Sequence, residues 1–490
     1  PPPPPPPTAP GVRRAVSEMR KIDAAFDRSG PCVIPASELA GGRMVVAPTT
    51  PLNREYDDVR RFGDAARAGI RRARDAGAVR PLLVTDGIPE DPLFGEAVAV
   101  VALEALGGLW EPLEGREARS ERALEPVEAV GMVGLTPERS AWVHAVELGR
   151  RAARDIGGTE PERMAPPGAA AYCRELFAGS AVTCEVVDDI DLLRREYPLL
   201  MAVANASVPV ERHRPCVIRL AYRGEGAVDR TLLFAGKGVT YDSGGLDIKA
   251  GGAMAGMSRD KGGAGAVAGF FATLAQLKPK GIHAVAELGM VRNSVGAEAF
   301  ATDDIHTSHA GVRVRIGNTD AEGRLVLSDL LSHLREQAVS VPRPHLFSVA
   351  TLTGHAVKAM GSYSIAIETR PARREGVAER LAAAGEQFGD PFETSRLRRE
   401  DWEFVRPRSS ADDVLSCNNA ASSATPRGHQ FPAAFIAIAS GLDRHCHRDA
   451  DTELPFTHID IGGSVCENFD FQHGRPTGAP VVALTAALIE

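Results

Sequence analysis

Aromatic residues make up only 5% of this 490-residue chain, and lysine is scarcer still, with seven lysines against forty-nine arginines. Cysteine is sparse, scattered and odd in number, seven in all; that excludes a disulfide framework and suits a reducing compartment. No unbroken apolar run approaches the roughly 18 residues that cross a bilayer, so a membrane protein is not expected. Positive charge is not in excess either. The formal net charge of -8 argues against a nucleic-acid surface, which carries clustered lysine and arginine. Three familiar signatures are missing as well: the Gly-x-Ser-x-Gly elbow, the Gly-x-x-x-x-Gly-Lys-Ser/Thr phosphate loop and His-Glu-x-x-His.

What remains is the balance of a globular protein, 44% hydrophobic and 24% charged. The length exceeds one ordinary core and predicts two or more domains. The chain opens on Pro1 to Pro7, a run that favours an extended polyproline II tail. The alternative is a docking segment for a neighbouring subunit or a larger assembly. No apolar signal core follows it, and a cytoplasmic location is expected.

The apolar pattern predicts strands at 44–48 and 80–85 and helices at 56–76, 92–105 and 137–155, with the charged stretch 111–125 as a surface excursion. Gly157, Gly158, Pro161, Pro166 and Pro167 crowd together and place a domain boundary near 155–165. The expected organisation is a Pro-rich lead-in over 1–30, an N-terminal α/β domain over 31–160 and a larger domain over 161–490. In the larger domain, strands at 231–235, 283–291, 345–350 and 457–461 alternate with helices such as 263–277 and 325–337. That alternation predicts an α/β fold around a largely parallel, buried central sheet. Ligands in such sheets bind beyond the carboxyl ends of the strands.

Two segments carry the chemistry, one just after the strand at 231–235 and one just before the helix near Leu325. The first runs Gly236-Lys237-Gly238-Val239-Thr240-Tyr241-Asp242-Ser243-Gly244-Gly245-Leu246-Asp247-Ile248-Lys249 and on to Asp260. The second is Asn318-Thr319-Asp320-Ala321-Glu322-Gly323-Arg324-Leu325. Taken singly, they read as a turn and as a capped helix start. Together they supply Asp242, Asp260, Asp320 and Glu322 with Lys237, Lys249 and Arg324. Four carboxylates converging without a cation would raise one another's pKa values. A pair of divalent metals removes that conflict, and Zn, Mn or Mg suits such oxygen-rich donors. Two ions about 3.5–4 Å apart share a water and generate hydroxide near neutral pH. Lysine joins such a set as the neutral amine, which desolvation and nearby cations favour. His445-Cys446-His447 reads as surface decoration, and His306 and His309 as structural hydrogen bonders.

These segments resemble the leucyl aminopeptidase (cytosol aminopeptidase) family, whose signature is the octet 318–325. Gly236-Lys237-Gly238, Asp242-Ser243-Gly244-Gly245, Asp303-Asp304-Ile305, Ala350-Thr351-Leu352-Thr353-Gly354, His458-Ile459-Asp460 and Thr477-Gly478-Ala479-Pro480 extend the likeness over roughly 150 to 490. Within the family it is most similar to the aminopeptidase-like branch. The resemblance implies a metal-dependent aminopeptidase that releases N-terminal residues from peptides through a metal-bridged hydroxide. Asp242 and Glu322 would bridge two divalent ions, Asp320 would complete the tighter site, and Lys237 and Asp260 the more exchangeable one. Lys249 would polarise the scissile carbonyl, and Arg324 would hold a bicarbonate ion. Met257, Asn318, Thr351, Leu352 and Gly354 would line the substrate pocket. A homohexamer and a macro-like N-terminal domain are implied as well.

The chain departs from the family at Lys261 (usually apolar), His355 (usually alanine), Ala301 (usually basic) and the stretch 157–164. An extra cation at Lys261 is expected to weaken metal binding, and His355 to reshape the pocket. These departures motivate a second reading, a retired aminopeptidase fold serving as a component of a larger assembly. A dinuclear phosphoesterase is a third; lysines as ligand and oxyanion partner fit amide hydrolysis better.

Overall fold

The computed structural model describes residues 10–49, 51–119, 124–447 and 449–490; the Pro1–Pro7 run and its proposed docking role lie outside the described residues. The chain divides into two compact units, Pro1–Glu147 with Gly385–Asp390, and Leu148–Ala384 with Pro391–Glu490.

In the first unit the helices Arg60–Asp75 and Ala97–Leu109 share a core of Val59, Phe62, Ala66, Ile70, Phe94, Val100, Val101 and Ala105. The stretch Pro92–Leu109 is apolar enough on average to span a bilayer, with a mean hydropathy of 1.6, but 56% of it is buried. Its two glutamates are also paired, Glu104 with Arg67 and Glu96 with Arg139. It is a core helix. The strand expected at 80–85 shrinks to Leu82–Leu83, paired parallel with Gly131–Met132. Pro81 brings no N–H to a ladder, and Leu82 and Val84 stay exposed.

The second unit is built on an eight-stranded sheet. Its strands are β1 (Val182–Val187), β2 (Cys216–Arg223), β3 (Arg230–Asp242), β4 (Ile282–Asn293), β5 (Pro344–Ala350), β6 (Ser364–Glu368), β7 (Phe392–Arg396) and β8 (Phe456–Asp460). The spatial order is β7-β6-β8-β5-β3-β4-β2-β1. The central run β8-β5-β3-β4 is parallel throughout, and β6 and β7 are also parallel. The contacts β6–β8, β2–β4 and β1–β2 are antiparallel. The fold is therefore α/β with a mixed, largely parallel sheet.

Side chains alternate faces along β3 with period two. Leu233 and Ala235 join the core that includes Leu325, Leu327 and Leu331 of α2 (Gly323–Ala338). Phe234 meets Phe270 and Phe271 of α1 (Gly262–Leu277), with ring centroids 5.2 and 6.4 Å apart. Both faces are covered, which is why this strand reads as a continuous apolar run.

One expectation is corrected. The strand does not end at Ala235 but runs to Asp242, so Lys237 lies within the sheet. The glycines that suggest a loop are there because the strand is crowded. A Cβ on Gly238 would sit 2.4 Å from Met290 Sδ and 2.7 Å from the Gly289 carbonyl oxygen. Pairing with β4 stays regular as far as Val239↔Val291, then slips before Asp242↔Asn293 in a β-bulge.

Candidate metal centre

β3 delivers Lys237 and Asp242, and the short turn Met257–Lys261 delivers Asp260. Asp320 and Glu322 stand immediately before α2. Lys237 reaches Glu322 only because residue 323 is glycine: a Cβ there would lie 2.4 Å from Lys237 Cε.

The charged groups form two linked pairs of contacts. Lys237 Nζ is 2.7 Å from Asp260 Oδ1 and 2.8 Å from Glu322 Oε1, and it donates to the Thr351 carbonyl at 2.9 Å. Lys249 Nζ is 3.0 Å from Asp242 Oδ2 and 2.5 Å from Asp320 Oδ1. Asp242, Asp260 and Glu322, all buried, each place a carboxylate oxygen within 4.8 Å of the others. Thr351 Oγ1 donates to Asp260 Oδ1 at 2.8 Å, while Asp260 Oδ2 is buried without a partner among the described residues.

The electrostatics are those of an incomplete charge balance. Four carboxylates face two ammonium groups, an excess of two negative charges when all are ionised. Burial, only partly offset by Lys237, pushes the Asp260 carboxyl far above its usual range. Burial and the neighbouring Asp242 raise Asp320 to about 7. Burial alone would lower the lysines, but the surrounding carboxylates hold both above the usual ammonium range. A buried, acid-rich cluster with an orphaned carboxylate oxygen fits divalent cations, which would satisfy the oxygen and cancel the excess charge.

The model of the cytosol aminopeptidase family catalytic domain matches residues 151–485. The chain belongs to that family. A Caenorhabditis elegans protein named "Putative aminopeptidase" is 40% identical over 97% of this chain and 90% of its own length. Proteins named "Probable cytosol aminopeptidase" from Helicobacter hepaticus and Roseiflexus castenholzii are 34% and 29% identical over 70% of this chain, and over 67% and 64% of their own lengths. Among solved structures, the bottromycin maturation enzyme BotP in complex with Mn aligns with a TM-score of 0.76 at 25% identity, covering 96% of this chain and 95% of that one.

Against the family pattern, the structure draws Lys237, Asp242, Lys249, Asp260, Asp320 and Glu322 into one cluster. Arg324, in the first turn of α2, is buried. Its Nη1 donates to the Ser416 carbonyl at 2.8 Å, its guanidinium lies 5.1 Å from the Phe431 ring centroid, and its Nε has no partner among the described residues. Of the residues expected at the substrate pocket, Thr351 touches the cluster directly. Met257 opens the turn that carries Asp260. Asn318 caps Asp320 N at 2.7 Å, Leu352 N donates to Asp460, and Gly354 N donates to Ser422 Oγ. His355 Nδ1 lies 2.8 Å from His429 Nδ1. Lys261 is fully buried and donates to the Thr159 and Ser258 carbonyls.

Two supports escape motif reading. Asn293, at the end of β4, donates to Asp242 Oδ1 at 2.8 Å and to the Thr319 carbonyl at 3.1 Å. Asp247 accepts from Thr319 N at 2.7 Å and from Thr302 Oγ1 at 2.8 Å. Asn293 is detectable only once β3 and β4 are aligned as parallel neighbours, with Asp242 opposite it.

Proposed function

We propose that the chain is a metal-dependent aminopeptidase that releases single N-terminal residues from peptides. The observation that carries this reading is the buried Asp242–Asp260–Glu322 triad, bracketed by Lys237 and Lys249. Asp242 and Glu322 would hold both ions, Asp320 would complete one site, and Lys237 with Asp260 the other. Two divalent ions there supply Lewis acidity and lower the pKa of bound water. Zinc, manganese and magnesium all suit the donors; the Mn complex of the structurally similar BotP makes manganese the first to test.

The chain's own groups do the rest. Lys249 would polarise the scissile carbonyl and stabilise the developing oxyanion, a type of contribution worth roughly 2.7–4 kcal/mol. Arg324, whose buried Nε has no partner among the described residues, would hold a small anion such as bicarbonate as the proton carrier. Met257, Asn318, Thr351, Leu352 and Gly354 would line the pocket for the first side chain of the substrate. The reading includes a catalytic domain over 161–490 behind a macro-like domain over 31–160, a homohexamer and a cytoplasmic location.

The test is hydrolysis of leucine and alanine amides by protein loaded with Mn or Zn, beside Lys249→Ala. The parent should release the amino acid, and the variant should be slower by about 10²–10³. A parent that hydrolyses neither amide, with metal content verified by elemental analysis, would instead support a retired enzyme kept for its architecture.

A further inference from the structure

We propose that Arg230, Arg343 and Arg380 form an anion site at the amino-terminal edge of the central sheet, for a tetrahedral dianion of the phosphate class. The metal centre lies at the other end of the same strands. Arg230 opens β3 and Asp242 ends it, roughly 40 Å away at the rise of a strand.

The sheet brings the first two arginines together. Pro344↔Thr231 is the first pair between β5 and β3, so one step back along both strands Arg343 stands opposite Arg230. The Thr231 N–H donates to the Arg343 carbonyl at 3.2 Å. Four residues on from Arg230, an even count, Phe234 stacks on its partner Phe347 at 4.7 Å, which places Arg230 on the same face. His345 lies there as well, stacked on Phe347 at 4.4 Å, and it leads to the third arginine. His345 Nδ1 is 2.7 Å from Glu375 Oε2, and Arg380 Nη1 donates to the Glu375 carbonyl at 2.6 Å.

Among the described residues, none of these three arginines makes an ion pair with a carboxylate. Arg230 donates to the Leu488 carbonyl, and its remaining N–H groups are unused. The neighbouring acids are directed elsewhere: Glu375 to His345, Glu368 to the Ala378 N–H at 2.9 Å, and Asp229 to the turn at Gly281. Burial, then Arg380 and Arg343, hold the half-buried Arg230 below the ordinary guanidinium range, as expected of like charges gathered without a counter-ion. Arg343 also keeps its charge in a left-handed turn, φ 41°, where glycine would be unstrained. Arg343 and Arg380 are exposed, which gives an anion access from solvent. Guanidinium forks match phosphate oxygens two by two, and a dianion answers three positive charges better than a single carboxylate does.

The site is independent of peptidase activity. Inorganic phosphate and glycerol phosphate are each titrated calorimetrically into the full chain, with ionic strength held constant by sodium chloride. The parent should bind saturably, and Arg343→Ala and Arg380→Ala should each weaken Kd by about tenfold or more. Arg343→Lys, which keeps the charge but not the fork, should recover only part of that loss. Phosphate bound at the metal centre would be common to parent and variants, so the difference between them belongs to the arginines. Tighter binding of glycerol phosphate assigns the site to a monoester, and tighter binding of inorganic phosphate to the free ion. No saturable binding in the parent, or a Kd within twofold of the parent in both alanine variants, overturns the site. Both variants change exposed side chains, so the test does not depend on Arg230→Ala folding.

Discussion

Replacing Asn293 by alanine would test how far the metal-binding carboxylates depend on the strand beside them. Asn293 is 1% exposed, and its amide spans from Asp242 Oδ1 to the Thr319 carbonyl, joining the two motif-bearing segments. Asp242 Oδ1 would keep the Gly244 N–H at 2.9 Å, so the carboxylate loses orientation but not every donor. A buried acceptor deprived of its partner costs about 1–3 kcal/mol, and with two acceptors affected the expected loss of stability is about 2–4 kcal/mol. Groups that orient metal ligands typically govern a 10- to 100-fold range in affinity or activity. The expectation is therefore a fall of that size in Mn or Zn affinity, measured by competition with a chromophoric chelator, and a parallel fall in kcat/KM on leucine amide. Urea unfolding supplies the stability arm. A variant less stable than the parent, yet within twofold of it in both metal affinity and kcat/KM, would refute the orienting role and leave Asn293 a plain structural hydrogen bonder.

Gly238→Ala forces a Cβ against the Gly289 carbonyl oxygen, which cannot swing aside as Met290 can; about 1–3 kcal/mol should be lost in urea unfolding. Stripping the ions with a chelator returns four carboxylates to two ammonium groups. At ions 100-fold above Kd the lost stabilisation is about 2.7 kcal/mol, read as a fall in Tm that added Mn or Zn reverses. Burial, with His355 and Arg427 nearby, pushes buried His429 down to about 4. The unfolded chain, with ordinary imidazoles near 6.5, then takes up protons that the folded state refuses. This contribution to stability is fully present above about pH 6.5 and is lost as pH falls toward 4, about 2 kcal/mol by pH 5. His429→Asn should flatten the slope of urea stability between pH 7.5 and 5 by that amount.

The four central strands are legible because each is largely buried on both faces and is therefore rich in apolar residues, even where β4, β5 and β8 carry a buried Glu287, Ser348 or His458. β7 was not, since Phe392–Arg396 alternates buried and exposed residues at the sheet edge. The end of β3 was hidden for the opposite reason: tight packing against β4 demands glycine, and glycine reads as loop. Within the candidate site, the residue types that could bind metal stand in two short segments and are visible as chemistry. Their contacts are not visible, because the Lys237–Asp260 and Lys249–Asp320 pairs join residues 23 and 71 positions apart. Asn293 belongs to neither segment, and Lys261 illustrates the converse. Its charge is visible in the sequence, but the Thr159 and Ser258 carbonyls that engage its ammonium are not.

The irregularity near the end of β3 has a consequence for parity. Lys237 and Asp242 are five positions apart, an odd number, and in an unbroken strand an odd spacing sends two side chains to opposite layers. Between Val239 and Asp242, however, three steps on β3 match two on β4. The surplus residue restores even phase, and both side chains turn toward Glu322 and Asp260. The centre therefore depends on a count as well as on a composition: an exchange of Thr240 or Tyr241 keeps the count, whereas one further residue paired into the ladder there would return the spacing to odd phase and turn Asp242 away from its partners.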